Sequence, residues 1–491
     1  MDRIGIIGGG FSGLLSAMLL EEALGGQVEI VVLEGSNRLG GRMRTTRVPG
    51  TPATYEAGVA EFYDIAGNPQ LRQLVRYLNL ATRPLVGRPY FSIGNQVIRD
   101  DAGLERLLGR RGIDRLRRFW ADGTARRSPA DYARAGQPRD NEHPWLHRTF
   151  EHVLSEIDDP LSEWFTAVQC HSDLATEPAR TSGLFGMDNL LIDHPGYCSM
   201  YTLVDGNEGL IQALSDRVRS PVLRDAPVTR VDAHPDRGFR LTCRTVDEPR
   251  HSVDLDALIV TLPPSRLRAI RWSDAALCSA VQAHVLHHDH GTAYLRVTLF
   301  CRRRFWRDQF PEDYFVSDAF GGVTVYDQSP DRDGDGVGVQ SWLIAGANAL
   351  ELADRSDEGV VAAVLSAMPS ALRVSDDVLI EGRVDRWLGA AGVSGLPGGV
   401  PLLSLEKRHI PDPRWPRLLF VGDYLYDSTL CGAVDAVLYG VGRIAEGVGG
   451  SSKLTRGGIG QLFASPSGSV ADEVRAPSCA FFLDEQVASV L

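Results

Sequence analysis

The chain has 491 residues, of which 43% are hydrophobic and 23% charged, a composition typical of globular proteins. This length predicts roughly two or three packed units rather than one simple core. The net charge of −12 is spread along the sequence, which argues against the basic face that a nucleic-acid partner requires.

The cysteines and the apolar runs predict a cytoplasmic location. The seven cysteines show no CxxC pair or other metal-ligand spacing, as expected in a reducing compartment. The first predicted strand begins at Ile4, so we expect no signal peptide. No apolar run approaches the roughly 18–20 residues that span a bilayer, so we expect no membrane segment. The oligomeric state is left open, with a homodimer among the options.

The N-terminal region alternates a strand, a glycine-rich turn, a helix and a second strand. The short apolar run Ile4–Ile7 precedes the turn, and the helix-compatible segment Leu14–Leu24 follows it. A second apolar run, Val28–Leu33, ends at Glu34. The turn has the spacing G-x-G-x-x-G, and an acidic residue follows about 20 residues later, a pattern typical of dinucleotide-binding units.

This turn predicts a dinucleotide cradle. Gly8, Gly10 and Gly13 would let the backbone approach a pyrophosphate at the positive end of the helix. Glu34 would accept hydrogen bonds from a ribose diol. The neighbouring residues expected to contact the cofactor are Phe11, Ser12 and Gly35. A glycine-rich turn without a ligand is the alternative.

The rest of the chain predicts helices first and a sheet later. Two amphipathic stretches, Asn68–Leu80 and Pro144–Ile157, indicate a mainly helical region. The later elements are predicted to be a strand, turn and helix over Tyr201–Leu214, a buried strand at Asp256–Leu262, and two sheet strands at Thr292–Phe300 and Gly336–Ile344.

The continuation of the glycine motif distinguishes FAD from NAD. The segment RLGGR at 38–42 resembles the R-x-G-G-R signature of the flavin amine oxidase superfamily, which includes monoamine, polyamine and L-amino acid oxidases. The resemblance implies that Arg42, beside Gly41, reaches the FAD pyrophosphate. Far downstream, Leu418–Ala436 resembles the closing FAD segment, in which Gly422 and Asp423 meet the pyrophosphate and ribityl chain.

The resemblance extends over roughly residues 3–448. Its intermediate landmarks fall in order, with VDGNEGL at 204–210, VTRV at 228–231 and LIVTLPPSRL at 258–267. Further residues expected to contact FAD are Gly58, Val59, Ala60, Val228, Trp387, Thr429, Leu430 and Ala433. For Trp387, core packing is an equal alternative.

The expected fold class is therefore α/β: a doubly wound, discontinuous FAD-binding domain plus an α+β substrate domain with an antiparallel sheet. The FAD-binding domain is expected to comprise residues 1–67, 200–270 and 381–450. The substrate domain would take the mainly helical residues 68–199 and the sheet residues 271–380. Residues 451–491 are rich in glycine and serine and predict a flexible tail.

Arg296 stands where the family usually has a lysine that holds a water against flavin N5, shortly before a Phe-Trp pair. The segment YLRVTLFCRRRFW puts Arg296 at that spacing. A guanidinium stays charged and offers a rigid fork of donors, so it is a poor base but a good clamp for an anion or a carbonyl. It could also stabilise negative charge on reduced flavin. A structural salt bridge is the alternative.

Glu61 also departs from a family pattern. The segment YEAGVAEFY at 55–63 resembles the E-A-G-A-M-R stretch of L-amino acid oxidases, and Glu61 takes the place of the arginine that binds the substrate carboxylate. A carboxylate there would repel an α-amino acid, an effect softened at an effective dielectric constant near 20. We expect Glu61 to act as a base toward an N–H group or as the partner of a cationic amine or forming iminium ion. A purely structural carboxylate is the alternative.

Monoamine oxidases frame their amine with two tyrosines and attach flavin to a nearby cysteine. The corresponding segments, GVSGLPGGV at 392–400 and LCGAVDA at 430–436, carry neither tyrosine, and the first carries no cysteine. Ala433 falls at one of the tyrosine positions. The resemblance thus implies noncovalent FAD and a site wider than a simple amine requires. The combination is similar to the lankacidin-type amide oxidase and cyclase branch, in which an N-acyl imine sets up ring closure.

Two polar clusters are not expected to bind a metal. The segment DRDGDG at 331–336 begins like an EF-hand loop, but the twelfth position is Trp342 rather than Glu, which favours a hairpin turn. The segment HHDH at 287–290 lacks helical ligand spacing and precedes a strand, which favours a polar loop.

These patterns predict an FAD-dependent oxidase of a C–N bond in an amine or N-acylated amine. Hydride transfer to flavin N5 would give an imine or N-acyl imine, and O2 would reoxidise the flavin to yield H2O2. The expected setting is the biosynthesis of a bacterial specialised metabolite, with or without cyclisation. The partners would be a small-molecule substrate and O2. The alternatives are an FAD-dependent desaturase or isomerase of the same superfold, and an FAD-binding protein without catalysis.

Overall fold

The computed structural model describes residues 1–448 except 88–89, 195, 235–237, 246–247, 249, 331–335, 374–376 and 392–400. Three sequence predictions fall outside these residues: the DRDGDG turn, the GVSGLPGGV segment and the C-terminal tail. Over the described part of the chain, no helix has both the length and the apolar content needed to cross a membrane.

Helices and strands alternate through most of the chain. The α-helices are α1 Phe11–Leu24, α2 Gln70–Tyr77, α3 Asp101–Arg126, α4 Pro129–Tyr132, α5 Phe150–Leu154, α6 Pro160–Leu174, α7 Gly183–Leu191, α8 Gly209–Arg217, α9 Pro264–Leu267, α10 Ala275–His288, α11 Gly346–Ala353, α12 Asp357–Ala367, α13 Leu405–His409 and α14 Leu430–Gly447. Single 3₁₀ turns lie at Gly25–Gln27, Pro138–Glu142, Pro144–His147, Ser155–Ile157, Pro178–Arg180, Ala319–Gly321, Ser370–Leu372 and Asp423–Leu425.

The strands build several sheets. They are β1 Asp2–Ile7, β2 Val28–Leu33, β3 Thr45–Arg47, β4 Thr54–Glu56, β5 Phe62–Ile65, β6 Thr82–Pro84, β7 Phe91–Ile93, β8 Gln96–Ile98, β9 Cys198–Leu203, β10 Val222–Leu223, β11 Val228–His234, β12 Gly238–Cys243, β13 His251–Leu255, β14 Ala257–Val260, β15 Arg271–Trp272, β16 Thr292–Cys301, β17 Tyr314–Ser317, β18 Val323–Asp327, β19 Gly338–Ala345, β20 Leu379–Ala391 and β21 Leu418–Phe420.

A five-stranded parallel sheet carries the glycine motif. Its order is β10-β2-β1-β14-β21, and every neighbouring pair is parallel. The helix α1 is apolar on nearly all sides and is buried against α8 and α14. In such sheets ligands bind beyond the carboxyl ends of the strands, which here lead into Gly8, Glu34, Thr261 and Gly422. The predicted strand, turn, helix and strand are confirmed.

A seven-stranded sheet takes five strands from the second half of the chain and two, β7 and β8, from the first. Its order is β20-β16-β19-β18-β17-β7-β8, and only the β17–β7 pair is parallel. Arg296 of β16 lies opposite Leu343 of β19 and Asp385 of β20. Successive side chains alternate between the two faces, so Arg296 shares a face with Tyr294. Smaller sheets are β13-β12-β11-β15, β5-β9-β6 and β3-β4. The α/β fold class with an antiparallel sheet is confirmed.

Two local predictions were wrong in part. The Pro144–Ile157 stretch is broken: 3₁₀ turns flank a short α5, and Thr149 caps that helix by accepting the His152 N–H at 3.2 Å. In the HHDH segment, His287 and His288 end α10 instead of forming a loop. His288 lies one turn after His284. The His288 ring packs against Tyr424 with centroids 5.5 Å apart, and the His284 ring packs against Phe420 with centroids 4.6 Å apart. This packing extends the helix.

A buried ion network ties α3 to α7. Arg127, directly after α3, donates to both oxygens of Asp188 at 2.8 Å and to Asp140 at 2.8 Å. The side chains of Arg127 and Asp140 are 2% and 4% exposed. Such a network depends on every partner, because a buried charge left without its counter-charge pays the full cost of its lost hydration.

We expect Arg127→Met to lower the free energy of unfolding by about 3–5 kcal/mol, since two buried carboxylates would lose their cation. Thermal unfolding at matched FAD content measures the change. The control is Arg240→Met, which breaks an ion pair with Asp254 that is 54% and 62% exposed and should cost at most about 1 kcal/mol. Equal effects in the two variants would contradict the structural role of this network.

Candidate active site

One cavity of about 890 Å³ joins the parallel sheet to the seven-stranded sheet. Its volume lies within the roughly 300–1,000 Å³ of small-molecule and cofactor sites. Except for Gly13, every residue that the sequence predicted for the site lines it: Gly8, Gly10, Phe11, Ser12, Glu34, Gly35, Gly41, Arg42, Gly58, Val59, Ala60, Glu61, Val228, Arg296, Trp387, Gly422, Asp423, Thr429, Leu430 and Ala433.

Glycines shape one end of this cavity by close backbone approach. A Cβ on Gly13 would lie 1.9 Å from the Gly8 carbonyl oxygen, and one on Gly58 would lie 2.1 Å from the Arg42 carbonyl oxygen. Gly8 has a φ of +112°, which side chains rarely adopt. Gly13 was expected to contact the cofactor, but it does not line the cavity. It instead lets α1 pack against the end of β1. The resulting turn leaves room for a phosphate group at the start of α1.

Glu34 braces the glycine turn. Its carboxylate accepts the Gly9 N–H at 2.7 Å and the Ser36 N–H at 2.8 Å. These contacts fix the carboxylate at the carboxyl end of β2, where the sequence pattern places the partner of a ribose diol. That contact with the ribose remains a prediction.

An ion pair joins two residues that line the cavity. Arg42 donates to Asp423 at 2.6 Å, and the side chains are 39% and 8% exposed. The charge of Asp423 raises the pKa of Arg42. Part of the Arg42 guanidinium thus remains open to an anionic group in the cavity, as a pyrophosphate partner requires.

The N-terminus of α14 also faces the cavity through Leu430 and Ala433. Thr429 caps this helix by accepting the N–H groups of Cys431 at 3.1 Å and Gly432 at 3.3 Å. Asp427 in turn accepts the Thr429 N–H at 2.8 Å, and burial raises the pKa of Asp427 to about 6. The positive end of an 18-residue helix is thereby aimed at the cavity.

Trp387 of β20 lines the cavity and is also hydrogen-bonded within its wall. Its Nε1 donates to the Ala57 carbonyl at 2.9 Å, and its ring lines the cavity. This hydrogen bond fixes the segment that leads to Glu61. Trp387 therefore supports the wall of the cavity and also contributes to its surface.

Glu61 and Arg296 meet at the other end of the cavity. Tyr63 donates to Glu61 Oε1 at 3.1 Å, and Glu61 Oε2 is buried without a hydrogen-bond partner. Burial raises the pKa of Glu61, while the charge of Arg296 and hydrogen bonds from Tyr63 and Tyr326 oppose that rise. A carboxyl group in this setting can exchange a proton with a substrate.

Arg296 is 3% exposed and holds unused hydrogen-bond donors. Its Nε and Nη1 are buried without a hydrogen-bond partner, and its guanidinium lies 5.3 Å from the centroid of the Tyr326 ring. No carboxylate of the described residues makes a direct ion pair with it. The structural salt bridge considered from the sequence is thus not formed there. A buried donor without a partner is costly, which points to a ligand group as its partner.

Four residues at this end carried no sequence signal strong enough to predict them. These residues are Tyr63, Asp173, Tyr294 and Tyr326. The charge of Glu61 is one of the causes that raise the pKa of each of them. Burial, followed by the charges of Asp193 and Glu61, raises the pKa of Asp173 well above its usual range. Tyr63 and Tyr294 lie two residues from Glu61 and Arg296 in segments already singled out, whereas Asp173 and Tyr326 lie in no recognised motif.

The cavity fits FAD at both ends. The glycine turn and Arg42 suit phosphate groups, while the second end holds the buried carboxyl and guanidinium groups expected beside a reacting centre. Among the described residues, no cluster of three or more His, Cys, Asp or Glu side chains could hold a metal ion. His287 and His288, at the end of α10, line the cavity wall.

Comparisons with known proteins agree with this geometry. The sequence profile of the family "Flavin containing amine oxidoreductase" matches residues 11–441. The flavin-dependent L-tryptophan oxidase RebO of Lentzea aerocolonigenes is 26% identical over 506 residues, which cover 91% of this chain and 98% of that protein.

Solved structures of low sequence identity share the fold. The cyclohexylamine oxidase of Brevibacterium oxydans IH-35A has a TM-score of 0.69 at 19% identity, covering 91% of this chain and 99% of that one. Putrescine oxidase bound to putrescine has a TM-score of 0.71 at 16% identity, with the same coverage. Since the family profile spans most of the chain and the cavity fits the cofactor, this protein belongs to the flavin-containing amine oxidoreductase family and uses FAD.

Proposed function

We propose that this protein oxidises the C–N bond of an amine or an N-acylated amine to an imine or N-acyl imine. One observation carries the proposal: Glu61 and Arg296 face the same buried cavity, and each keeps polar atoms without a protein partner. A carboxyl group suits removal of an N–H proton, and a guanidinium suits a carbonyl oxygen next to that nitrogen.

Glu61 serves proton transfer, and Arg296 serves substrate binding and charge stabilisation. Glu61 accepts the N–H proton as the carbon next to nitrogen loses a hydride. FAD, when bound, supplies the hydride acceptor, and O2 reoxidises it to give H2O2. Arg296 holds the acyl oxygen and stabilises the negative charge that builds up on it as the N–H bond weakens.

Arg296 is the reason to favour an N-acylated amine. A rigid fork of donors matches a carbonyl oxygen or an anion, whereas a simple amine offers it no acceptor. An N-acyl imine is an electrophile to which a nucleophilic carbon can add. This reactivity suits the biosynthesis of a specialised metabolite, with ring closure as one fate of the product.

An α-amino acid is the second candidate substrate. The similarity to an L-tryptophan oxidase over 91% of the chain favours it. In that case Arg296 would bind the substrate carboxylate, and protonation of Glu61 would limit the repulsion between the two carboxyl groups.

A substrate panel separates these candidates. We expect N-acylated amines to bleach the bound flavin without oxygen, simple amines to do so more slowly, and free amino acids to have little effect, because Glu61 opposes their carboxylate. Absorbance of the flavin under anaerobic conditions is the measurement. Bleaching by L-tryptophan or other amino acids alone would overturn the first candidate, and no bleaching by any class would overturn the proposed function.

A further inference from the structure

A second, small cavity adjoins the end of the site that holds Glu61. Its volume is about 30 Å³, enough for a water molecule, which needs roughly 10–15 Å³ and two to four polar partners. Its polar lining comes from Tyr63, Gln169, Asp173, Asp193, Tyr314, Thr324 and Tyr326. Tyr63, Asp173 and Ile192 also line the large cavity, so these three residues form the wall between the two.

Asp173 occupies a central position in this wall. It lies one helical turn after Gln169 on α6, and Gln169 Nε2 donates to Asp193 Oδ2 at 3.3 Å. The Asp173 carboxyl makes no hydrogen bond within the described part of the chain. It therefore has acceptor and donor capacity left for water in the small cavity and for groups in the large one.

The surroundings of Asp173 allow it to hold a proton. The titratable groups that interact electrostatically with it are Glu61, Tyr63, Asp193, Tyr294 and Tyr326, with Cys170 on its own helix. Burial raises the pKa of Asp193 to about 6, so this carboxyl can also be protonated near neutral pH.

We propose that Asp173, protonated in the resting site, receives the substrate proton from Glu61 as it gives its own, through water in the small cavity, to Asp193, which releases it to solvent. This inference rests on the proposed function. The proton leaves the substrate nitrogen and binds the Glu61 carboxylate. In the resting site the Tyr63 hydroxyl donates to Glu61 at 3.1 Å. Once Glu61 is protonated, that hydroxyl receives the Glu61 proton as it gives its own to Asp173. No electrons move in this relay, and Glu61 is returned to its ionised form for the next turnover.

The relay predicts a distinctive kinetic defect in Asp173→Asn. The first anaerobic reduction of FAD should stay within about threefold of the wild-type rate, because Glu61 can still accept one proton. Steady-state turnover should fall about 10–100-fold, because Glu61 then releases its proton slowly. Formate, a small weak acid that can carry protons into a cavity, should restore part of the turnover. The matched control is Asp122→Asn, an exposed residue of α3.

A structural role for Asp173 would give a different result. Equal losses in the first reduction and in turnover, or no loss in either, with no rescue by formate, would overturn the relay. Infrared spectra of the FAD-loaded protein without substrate provide an independent measurement: the band of protonated carboxyl groups near neutral pH should be smaller in Asp173→Asn than in the wild type. An unchanged band would also overturn the relay. If no amine class reduces the wild-type flavin, the proposed function fails, and the infrared result still decides whether Asp173 holds a proton.

Discussion

Replacing Glu61 by glutamine is expected to slow the anaerobic reduction of FAD by about 10²–10⁴-fold and to leave the FAD content unchanged. Glutamine has nearly the same shape and can still accept the hydrogen bond from Tyr63, but it cannot take up a proton. The segment that carries residue 61 would keep its path, because Gly58 and the Trp387–Ala57 hydrogen bond hold it. Stopped-flow absorbance of the flavin measures the rate.

The pH dependence gives this prediction a second readout. Only ionised Glu61 accepts a proton, and burial raises its pKa. The wild-type rate should therefore rise as the pH increases through that raised pKa, and the rise should disappear in Glu61→Gln. Glu358→Gln, an exposed residue of α12, is the control. Unchanged reduction kinetics in Glu61→Gln would refute the role of this carboxyl.

Replacing Arg296 by methionine is expected to lower the reduction rate with an N-acylated amine by about 10²–10³-fold, the usual effect of removing one donor to a developing negative charge. The same variant should unfold at a temperature no lower than the wild type. Its guanidinium is 3% exposed with two nitrogens that lack a hydrogen-bond partner, and an apolar side chain of similar length avoids that cost. Flavin reduction and thermal unfolding measure the two effects.

Arg296→Lys is the matched control because it keeps the charge and loses the fork. We expect it to retain part of the activity on simple amines and little on N-acylated amines. If Arg296→Met lowered the reduction rate equally for both substrate classes, the arginine would act on the charge of the cofactor rather than on the acyl group. An unchanged rate on N-acylated amines would contradict its proposed contact.

Much of the cofactor end could be predicted because its signals are local. Gly8 and Glu34 belong to one strand, turn, helix and strand, in which the backbone path follows from glycine spacing and apolar runs. The distant closing segment was also identified, since Gly422 and Asp423 lie in a recognisable pattern. Its contact with the first segment, through the Arg42–Asp423 ion pair, is a tertiary feature that the family resemblance implied and that no spacing in the sequence contains.

The sequence by itself thus determined the α/β class, the FAD cradle, and the unusual residues Glu61 and Arg296. Only the tertiary structure placed Asp173 of α6 and Tyr326 of β18 around Glu61, and only it joined Asp173 to a second cavity. These residues lie more than a hundred positions from Glu61 in the chain. The periodic pattern of a helix or strand shows which of its faces is buried, but it does not show which other element packs against that face. Their neighbourhood follows from how helices and sheet pack together, and that packing creates the buried environment on which the proposed chemistry depends.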